Sequence, residues 1–218
     1  MWSTPVDLYC ERTDPGFWAE PVNAVSNLAF LIAAAMAFAR WRRRNESDVA
    51  ALALIVVTVL VGLGSFAFHT IATRGAVLLD IIPIALFIHG YLYVALRRFV
   101  GAGRVPSLVI AVAFFALSQA VTALSPRNLL NGSVGYLPAL GAMVVVGAIV
   151  RHQAAGRSLV RAAAIFAASL TFRTIDLAVC ARVPLGTHAV WHILNAVVLY
   201  VLLGALIRLP VSTAHAPP

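Results

Sequence analysis

The chain has 218 residues, of which 61% are hydrophobic and only 11% are charged, and its formal net charge is +8. Soluble domains carry roughly 25% charged residues, so this composition excludes a water-covered globular domain and indicates a membrane protein. The positive charge lies in short connectors between apolar runs, where it reports membrane topology rather than nucleic-acid binding. All of the basic residues are arginines, which excludes a retinal Schiff base and is typical, in an alanine-rich chain, of a GC-rich bacterial genome.

Residues 1–21 precede the first apolar run and do not resemble a signal peptide, which would have a basic start and an apolar core. This segment holds one basic residue and four acidic ones: Arg12, Asp7, Glu11, Asp14 and Glu20. We therefore expect 1–21 to be an extracytoplasmic N-terminal segment of the mature protein. The acidic side chains are typical of a solvated patch, although several oxygens gathered here would also suit a hard cation such as calcium.

Seven apolar runs follow, and each is close to the length of about 20 residues that a membrane-spanning helix needs. The sequence therefore predicts an all-α membrane protein, a seven-transmembrane helix bundle. Its membrane domain covers residues 22–208, and a cytoplasmic tail covers 209–218. The predicted spans are 22–41, 49–71, 76–96, 105–124, 134–151, 158–180 and 188–208.

Arginines are distributed unequally between the two sides of this predicted bundle. Because cytoplasmic loops are enriched in arginine, the N-terminus is predicted outside and the C-terminus in the cytoplasm of a cell-membrane protein. The side predicted to be outside holds four arginines: Arg12, Arg74, Arg127 and Arg182. The connectors between spans 1 and 2, 3 and 4, and 5 and 6, with the C-terminal end, hold eleven: Arg40, Arg42, Arg43, Arg44, Arg97, Arg98, Arg104, Arg151, Arg157, Arg161 and Arg208.

Five polar residues are predicted to meet at the outer ends of three spans. Ser65 and His69 are four residues apart on span 2, and His188 and His192 have the same spacing on span 7. Residues four apart share one helix face, and Asp80, in the first turns of span 3, lies at the same predicted depth. Three imidazoles plus an open position are the arrangement of catalytic zinc. Haem ligation, a proton relay and simple packing remain open for the histidine pair on span 7.

The remaining ionisable residues of the spans have simpler interpretations. His89, His152 and His215 are interpreted as packing or surface residues, with a relay role as the alternative for His89. Arg173 and Asp176 are three residues apart near the outer end of span 6. This spacing predicts a local ion pair that lowers the cost of burying either charge, and a contact with a lipid headgroup is the alternative.

Three polar residues of span 1 and two cysteines are also predicted at the outer side of the bundle. Asn23, Ser26 and Asn27, in the first turns of span 1, are interpreted as capping or helix-packing groups. Cys10 and Cys180 are the two cysteines of the chain, and both are predicted in an oxidising compartment. We expect a disulfide between them that pins the N-terminal segment over the helix ends.

Several short motifs in fixed order resemble the alkaline ceramidase family, which belongs to a seven-transmembrane hydrolase superfamily that also includes adiponectin receptors. The order Ser-x-x-x-His, Asp and His-x-x-x-His is the specific part of this resemblance, and the shorter motifs alone would not be. The matching stretches are YCE (9–11), AEPVNAVSN (19–27), GSFAFHT (64–70), LLD (78–80), TID (174–176) and HAVWH (188–192). They extend over nearly the whole chain.

The resemblance implies a role for each matching residue. His69, His188 and His192 match the zinc ligands of the family, while Ser65 and Asp80 match residues that assist the attacking water and the reacting carbonyl. The two cysteines match its disulfide. An N-terminal calcium site is implied at Glu11, Glu20 and Asp7, with Asp14 as a substitute for an oxygen ligand that is absent at Thr13.

Three departures from the family pattern concern these sites. The acid that often follows the matching Asp80 is Ile81 here, Asp7 is one residue out of register, and Thr13 replaces a common Asn. The zinc site is therefore the better matched of the two.

The resemblance implies an integral-membrane, zinc-dependent amide hydrolase. Its expected substrate is ceramide or a ceramide-like long-chain lipid amide within the lipid bilayer, cleaved near the extracytoplasmic face to a fatty acid and an amine, with no nucleic acid as partner. The alternatives are an esterase or phospholipase with the same metal, or a receptor-like protein with vestigial hydrolase activity.

Overall fold

The structure, a computed structural model, describes residues 1–44, 48–126 and 128–208. The tail predicted at 209–218, which includes His215, lies outside these residues, as does Arg127 of the topology argument. The described chain is almost entirely helical. Its helices are α1 Pro21–Ser26, α2 Leu28–Arg42, α3 Val49–Ile71, α4 Arg74–Ala95, α5 Arg104–Leu124, α6 Leu137–Ile149, α7 Ala154–Val179 and α8 His188–Ile207. A π-helical turn, Leu96–Val100, extends α4, and a 3-10 segment, Leu129–Tyr136, precedes α6.

Seven stretches of the described chain are helices long and apolar enough to cross a membrane, which confirms the predicted seven-transmembrane bundle. Their bounds differ most from the predicted ones in the third, fifth and sixth stretches, of which the fifth begins at 129 rather than 134 and the sixth at 154 rather than 158. The third begins earlier and runs further because the Thr73 side chain accepts from the Ala76 amide to start α4 and the π turn prolongs it. The stretches are Pro21–Arg42, Val49–Ile71, Arg74–Val100, Arg104–Leu124, Leu129–Ile149, Ala154–Val179 and His188–Ile207.

Helix α8 forms the centre of the bundle and α5 its periphery. The most apolar window of α8 is 61% buried, against 11% for that of α5. Helix α8 packs mainly on α7 and α2, and α3 packs mainly on α4 and α2. Apolar side chains such as Leu108, Val109 and Val112 of α5 are exposed on the outside of the bundle, where lipid tails rather than water are their natural surroundings.

The N-terminal segment, residues 1–20, lies across one end of the bundle and is fixed there by covalent and backbone bonds. The predicted disulfide is confirmed: Cys10 and Cys180 are bonded, with their Cα atoms 5.4 Å apart. The segment also pairs with the turn between α3 and α4. The backbone bonds of this pairing are Val6 N to Ala72 O at 2.8 Å, Arg74 N to Thr4 O at 3.0 Å and Gly75 N to Trp2 O at 2.9 Å.

An ion pair at the opposite end of the bundle joins the start of α3 to the end of α4. Asp48 caps α3 by accepting from the Ala51 amide at 3.0 Å, and its two carboxylate oxygens accept from Arg98 at 2.6 Å each. Burial raises the pKa of this carboxyl, but the hydrogen bonds from Arg98 and the Ala51 amide outweigh burial and hold the pKa below its ordinary value.

We predict that Asp48→Asn lowers the free energy of unfolding by about 1.5 to 3 kcal/mol, the range for hydrogen bonds to charged groups. An amide can still cap α3 but offers Arg98 no charge. Since the folded pKa of Asp48 lies below its unfolded value, its stabilisation is present above the unfolded value of about 4 and is lost as the pH falls through the folded pKa. Thermal unfolding in detergent at several pH values measures this.

The control for this prediction is Arg98→Gln, which should cost a similar amount, with little further loss in the double variant because both changes remove the same interaction. A difference between wild type and Asp48→Asn that stays constant from neutral to strongly acid pH would contradict the prediction.

Candidate metal centre

Three buried histidines meet under the N-terminal segment because the end of α3 and the start of α8 lie side by side. His69 is in the last turn of α3, His188 is the first residue of α8, and His192 follows one turn later. The ring centroids are 5.2 Å apart for His69 and His188, 4.8 Å for His69 and His192, and 4.5 Å for His188 and His192. One ligand nitrogen from each lies within 4.8 Å of the others, which is close enough for all three to bind one metal ion.

Hydrogen bonds fix the protonated nitrogen of two of these rings. His69 Nδ1 is 2.6 Å from Glu20 Oε2, and a carboxylate can only accept, so Nδ1 carries the proton. His192 Nδ1 is 2.7 Å from Ser26 Oγ, whose own hydrogen is donated to Asn23 O at 2.7 Å. Ser26 therefore accepts from His192. Both rings are held with the Nε2 lone pair free, as in metal sites where a second group orients each ligand.

Two nitrogens of the cluster have no hydrogen-bond partner in the part of the chain that the structure describes. They are Nε2 of His69 and Nδ1 of His188, and both are buried. A buried polar atom without a partner is costly, and a bound cation would satisfy it. The set of three neutral imidazoles thus fits a divalent metal such as zinc, whose preferred ligands include imidazole nitrogens.

Asp176 positions the start of α8, a role that the sequence did not predict. Its carboxylate is fully buried and accepts from the amides of Thr187 at 2.6 Å, His188 at 2.9 Å and Cys10 at 3.0 Å. It therefore ties α7, α8 and the N-terminal segment together beside a metal-site histidine. A carboxylate at a helix N-terminus is also favoured by the helix dipole.

The predicted ion pair between Arg173 and Asp176 is wrong. Arg173 instead donates to Asn131 O at 2.7 Å and to Ser133 Oγ at 3.0 Å, and its guanidinium lies 5.3 Å from the ring centre of Tyr136. The reason is that three backbone amides already bind the Asp176 carboxylate, while the 3-10 segment before α6 offers Arg173 its acceptors. Spacing along one helix reveals neither the backbone amides that bind Asp176 nor the acceptors that bind Arg173.

Tyr9 covers the cluster from the side of the N-terminal segment. Its ring stacks on His188 with a centroid distance of 3.6 Å and an interplanar angle of 22°, and it also lies 5.3 Å from the His69 ring. Burial raises the pKa of the Tyr9 hydroxyl, so the phenol stays protonated. The disulfide of the neighbouring Cys10 keeps this ring in place.

Ser65 and Asp80 line a cavity that begins beside His192. Ser65 is buried one turn before His69, and Ser65 and Asp80 line the same cavity. The cavity has an empty volume of about 910 Å³ including its open mouth. Its polar residues, among them Asn195, are at the histidine end, and aliphatic and aromatic side chains form the rest.

The apolar part of the cavity runs along the bundle toward the opposite end. On α4 it is lined from Asp80 to Ala95, and on α8 from Trp191 to Leu202. The fifteen helical rises from residue 80 to residue 95 span roughly 22 Å. The cavity is therefore a long apolar channel with one polar end, which suits a lipid chain attached to a polar group.

The four residues predicted as a calcium site are not brought to one point. Asp7 and Asp14 are exposed, and Asp14 Oδ1 accepts from the Gly16 amide at 2.6 Å. Glu11 is buried, and its two oxygens accept from the amides of Val22 at 2.6 Å and Asn23 at 2.7 Å, at the start of α1. Among the described residues, the histidine cluster is the one group of three or more His, Cys, Asp or Glu residues near enough to share an ion.

The fourth residue of that set, Glu20, is part of the histidine cluster instead. Besides His69, its carboxylate accepts from Arg12 Nε at 2.5 Å and from Asn23 Nδ2 at 3.1 Å. Burial raises the pKa of Glu20, but the hydrogen bonds from His69, Arg12 and Asn23 lower it by more. The pKa of Glu20 therefore lies below its ordinary value, and the carboxyl stays ionised. The polar residues at 20, 23 and 26 are spaced three apart, and this spacing is the sequence pattern that could have predicted the contacts of Glu20 and Ser26 with the histidines.

Comparison with protein families gives one match, and it covers the whole of this site. A family model described as Ceramidase matches residues 9–217. A search of curated proteins finds no match.

We predict that His188→Ala reduces bound metal from about one ion per chain to a small fraction, because two imidazoles rarely hold a catalytic zinc ion. Metal analysis of the purified protein after dialysis measures this. The matched control is His89→Ala, since His89 is a half-buried histidine of α4 whose Nε2 also lacks a partner among the described atoms but which lies outside the cluster. Full metal retention by the His188 variant would remove it as a ligand.

Proposed function

The chain belongs to the ceramidase family, and from this premise we propose that it is an integral-membrane, zinc-dependent amide hydrolase. Its substrate is a ceramide or a ceramide-like long-chain lipid amide, and its products are a fatty acid and an amine. The family accounts for hydrolysis of an amide bond. The choice of zinc and of the lipid substrate is the proposal that the following observations support.

The observation that carries the proposal is the position of the histidine cluster at the polar end of an apolar channel. His192 belongs to both, and Ser65 and Asp80 line the channel beside it. A lipid amide has the same polarity, with a long chain on one side of a reactive carbonyl. When its chain lies in the channel, its carbonyl lies at the cluster.

The proposed reaction divides between the metal and two side chains. Zinc held by His69, His188 and His192 would supply a Lewis acid that polarises the carbonyl and lowers the pKa of water to about 7. Asp80 takes a proton from the attacking water and passes it to the nitrogen as the carbon–nitrogen bond breaks. Ser65 donates a hydrogen bond to Asp80 or to the oxygen that becomes negative.

The apolar channel contributes binding and the exclusion of water. Phe87, Phe114 and Leu202 are among its lining side chains, and none of them can compete for the polar head of a lipid. An acyl chain in the channel leaves contact with water or bilayer for packed protein. This binding holds the amide next to Asp80, so that the reaction proceeds as if within one molecule.

We further propose that the histidine end faces the outside of a cell membrane. The predicted outer connectors carry few arginines, which is typical of the non-cytoplasmic side. The disulfide between Cys10 and Cys180 lies at the same end of the bundle as the histidines, and disulfides persist in oxidising compartments. Both observations favour a multi-pass protein with its metal centre at the outer face.

We predict that Asp80→Asn lowers kcat on a long-chain N-acyl amide about 10²- to 10⁴-fold, the usual contribution of a general acid–base. Bound zinc should stay near one ion per chain, because Asp80 is not one of the three clustered ligands. The matched control is Asp7→Asn, an exposed carboxylate in the N-terminal segment. Nearly normal turnover by the Asp80 variant would end its role as proton carrier.

The same assay decides between the proposed amidase and a metal-dependent esterase or phospholipase. Amide and ester analogues with one acyl chain are compared side by side, with zinc present or removed by a chelator. Zinc-dependent release of fatty acid from the amide supports the proposal. Hydrolysis of the ester alone would reject the amide specificity, and no zinc-dependent hydrolysis of either would reject the function.

We predict that Val146→Phe shifts substrate preference toward shorter acyl chains. Val146 is buried and lines the deep part of the channel on α6, so a larger ring there occupies space that a long chain needs. We expect kcat/KM for the longest chains to fall about tenfold relative to the shortest. The control is Val145→Phe, since the neighbouring Val145 is 57% exposed on the outside of the bundle. An unchanged chain-length profile would contradict this placement of the chain.

A further inference from the structure

A buried arginine lies next to the histidine cluster and is surrounded by oxygen atoms. Arg12 is only 7% exposed. Its Nε donates to Glu20 Oε1 at 2.5 Å, Nη1 donates to Asp14 O at 3.1 Å and Gly16 O at 3.4 Å, and Nη2 donates to His69 O at 2.9 Å. One carboxylate and three main-chain carbonyls thus surround one positive charge.

Carboxylate and carbonyl oxygens around a buried charge are the surroundings that a hard cation such as calcium prefers. The acidic residues expected to bind calcium do not form such a site, because Asp7 and Asp14 are exposed and Glu11 is engaged by two backbone amides. Glu20 is already neutralised by Arg12. A divalent ion at Glu20 would be repelled by the guanidinium and would find no free carboxylate oxygen there.

Arg12 is connected to His69 in two ways, once through Glu20 and once by a direct hydrogen bond. Through Glu20 it acts on the His69 side chain, since the same carboxylate accepts from His69 Nδ1 at 2.6 Å. Through Nη2 it binds the His69 carbonyl, which lies in the last turn of α3 where carbonyls lack helical partners and a cation is favoured. The ring and the main chain of His69 are therefore fixed by one residue of the N-terminal segment.

We propose that Arg12 takes the place of a structural divalent cation and is a positioning residue for the metal centre. Its guanidinium holds Glu20, Glu20 keeps the proton of His69 on Nδ1, and His69 then offers Nε2 to the metal. This inference rests on the proposed zinc site but not on the identity of the lipid. It makes the protein independent of calcium.

The first test uses the wild-type chain in detergent, loaded with zinc. Calcium is titrated up to about 5 mM, above the 10⁻⁴–10⁻³ M range of weak natural calcium sites, while calorimetry and thermal unfolding are followed. We expect neither stoichiometric calcium binding nor a shift in Tm. Binding of one calcium ion per chain would overturn the proposal, whatever any variant does.

The second test removes the guanidinium. In Arg12→Ala we expect zinc affinity, measured by competition with a chelating dye, to fall about 10- to 100-fold, the usual cost of losing a group that orients a ligand. Calcium should restore part of that affinity, because the vacated shell keeps its oxygens. The control is Arg182→Ala, an exposed arginine at the same end of the bundle, which should change nothing.

Each outcome of the second test decides the matter. Wild-type zinc affinity in Arg12→Ala would overturn the positioning role, as would a wild type that binds no zinc. A loss of affinity that calcium cannot restore would overturn the claim that the guanidinium replaces a cation. If Arg12→Ala does not fold, Arg12→Lys is used: it keeps the charge but not the fork, and it should show weakened zinc binding that calcium leaves unchanged.

The readouts of this experiment are zinc affinity, calcium binding and Tm, so they separate the inference from the proposed function. A chain that binds zinc through the Arg12 contacts but hydrolyses no lipid amide would reject the function alone. A chain that hydrolyses the amide but binds calcium in the wild type would reject the inference alone.

Discussion

Satisfaction of buried imidazole nitrogens is the constraint on which the rest of the structure depends. The three rings are buried, so each ring nitrogen must find a hydrogen-bond partner or a bound ion inside the protein. Glu20 and Ser26 accept hydrogen bonds from Nδ1 of His69 and His192. That leaves a free lone pair on each ring, aimed where His188 also contributes an unpartnered nitrogen. This division of the nitrogens is what makes the histidine cluster a candidate metal centre.

The N-terminal segment supplies the groups that make this division possible, although it contributes none of the three ligands. Arg12 neutralises Glu20, Tyr9 stacks on His188, and Cys10 both bonds to Cys180 and donates its amide to Asp176. The contacts of Tyr9 and Cys10 join residues more than 160 positions apart. Ser26 of α1 fixes the protonated nitrogen of His192, but without Glu20 of the N-terminal segment nothing would fix that of His69.

The sequence was sufficient for the features that depend on counting and spacing, and insufficient for those that depend on competing partners. Seven apolar runs and the pairs at four-residue spacing predicted the bundle and the meeting of His69 with His188, because periodicity fixes helices and faces. The ion pair of Arg173 with Asp176 failed because backbone amides and carbonyls from distant loops bind each residue more directly. The same holds for Arg12, which spacing marked only as one charge in an acidic stretch.

The bundle has a well-packed part around α8 and a lipid-facing part around α5. The three histidines and the residues that contact them sit on the N-terminal segment, α1, α3, α7 and α8, and α8 is the most buried helix. The far wall of the channel comes from α4, α5 and α6, and α5 has little of its surface covered by protein. Side chains on that wall can change in size or position without disturbing the hydrogen bonds of His69 and His192, because no residue of α5 or α6 takes part in them. The far wall of the channel and the histidine cluster are thus physically separate parts of this fold, and one can be altered while the other is kept.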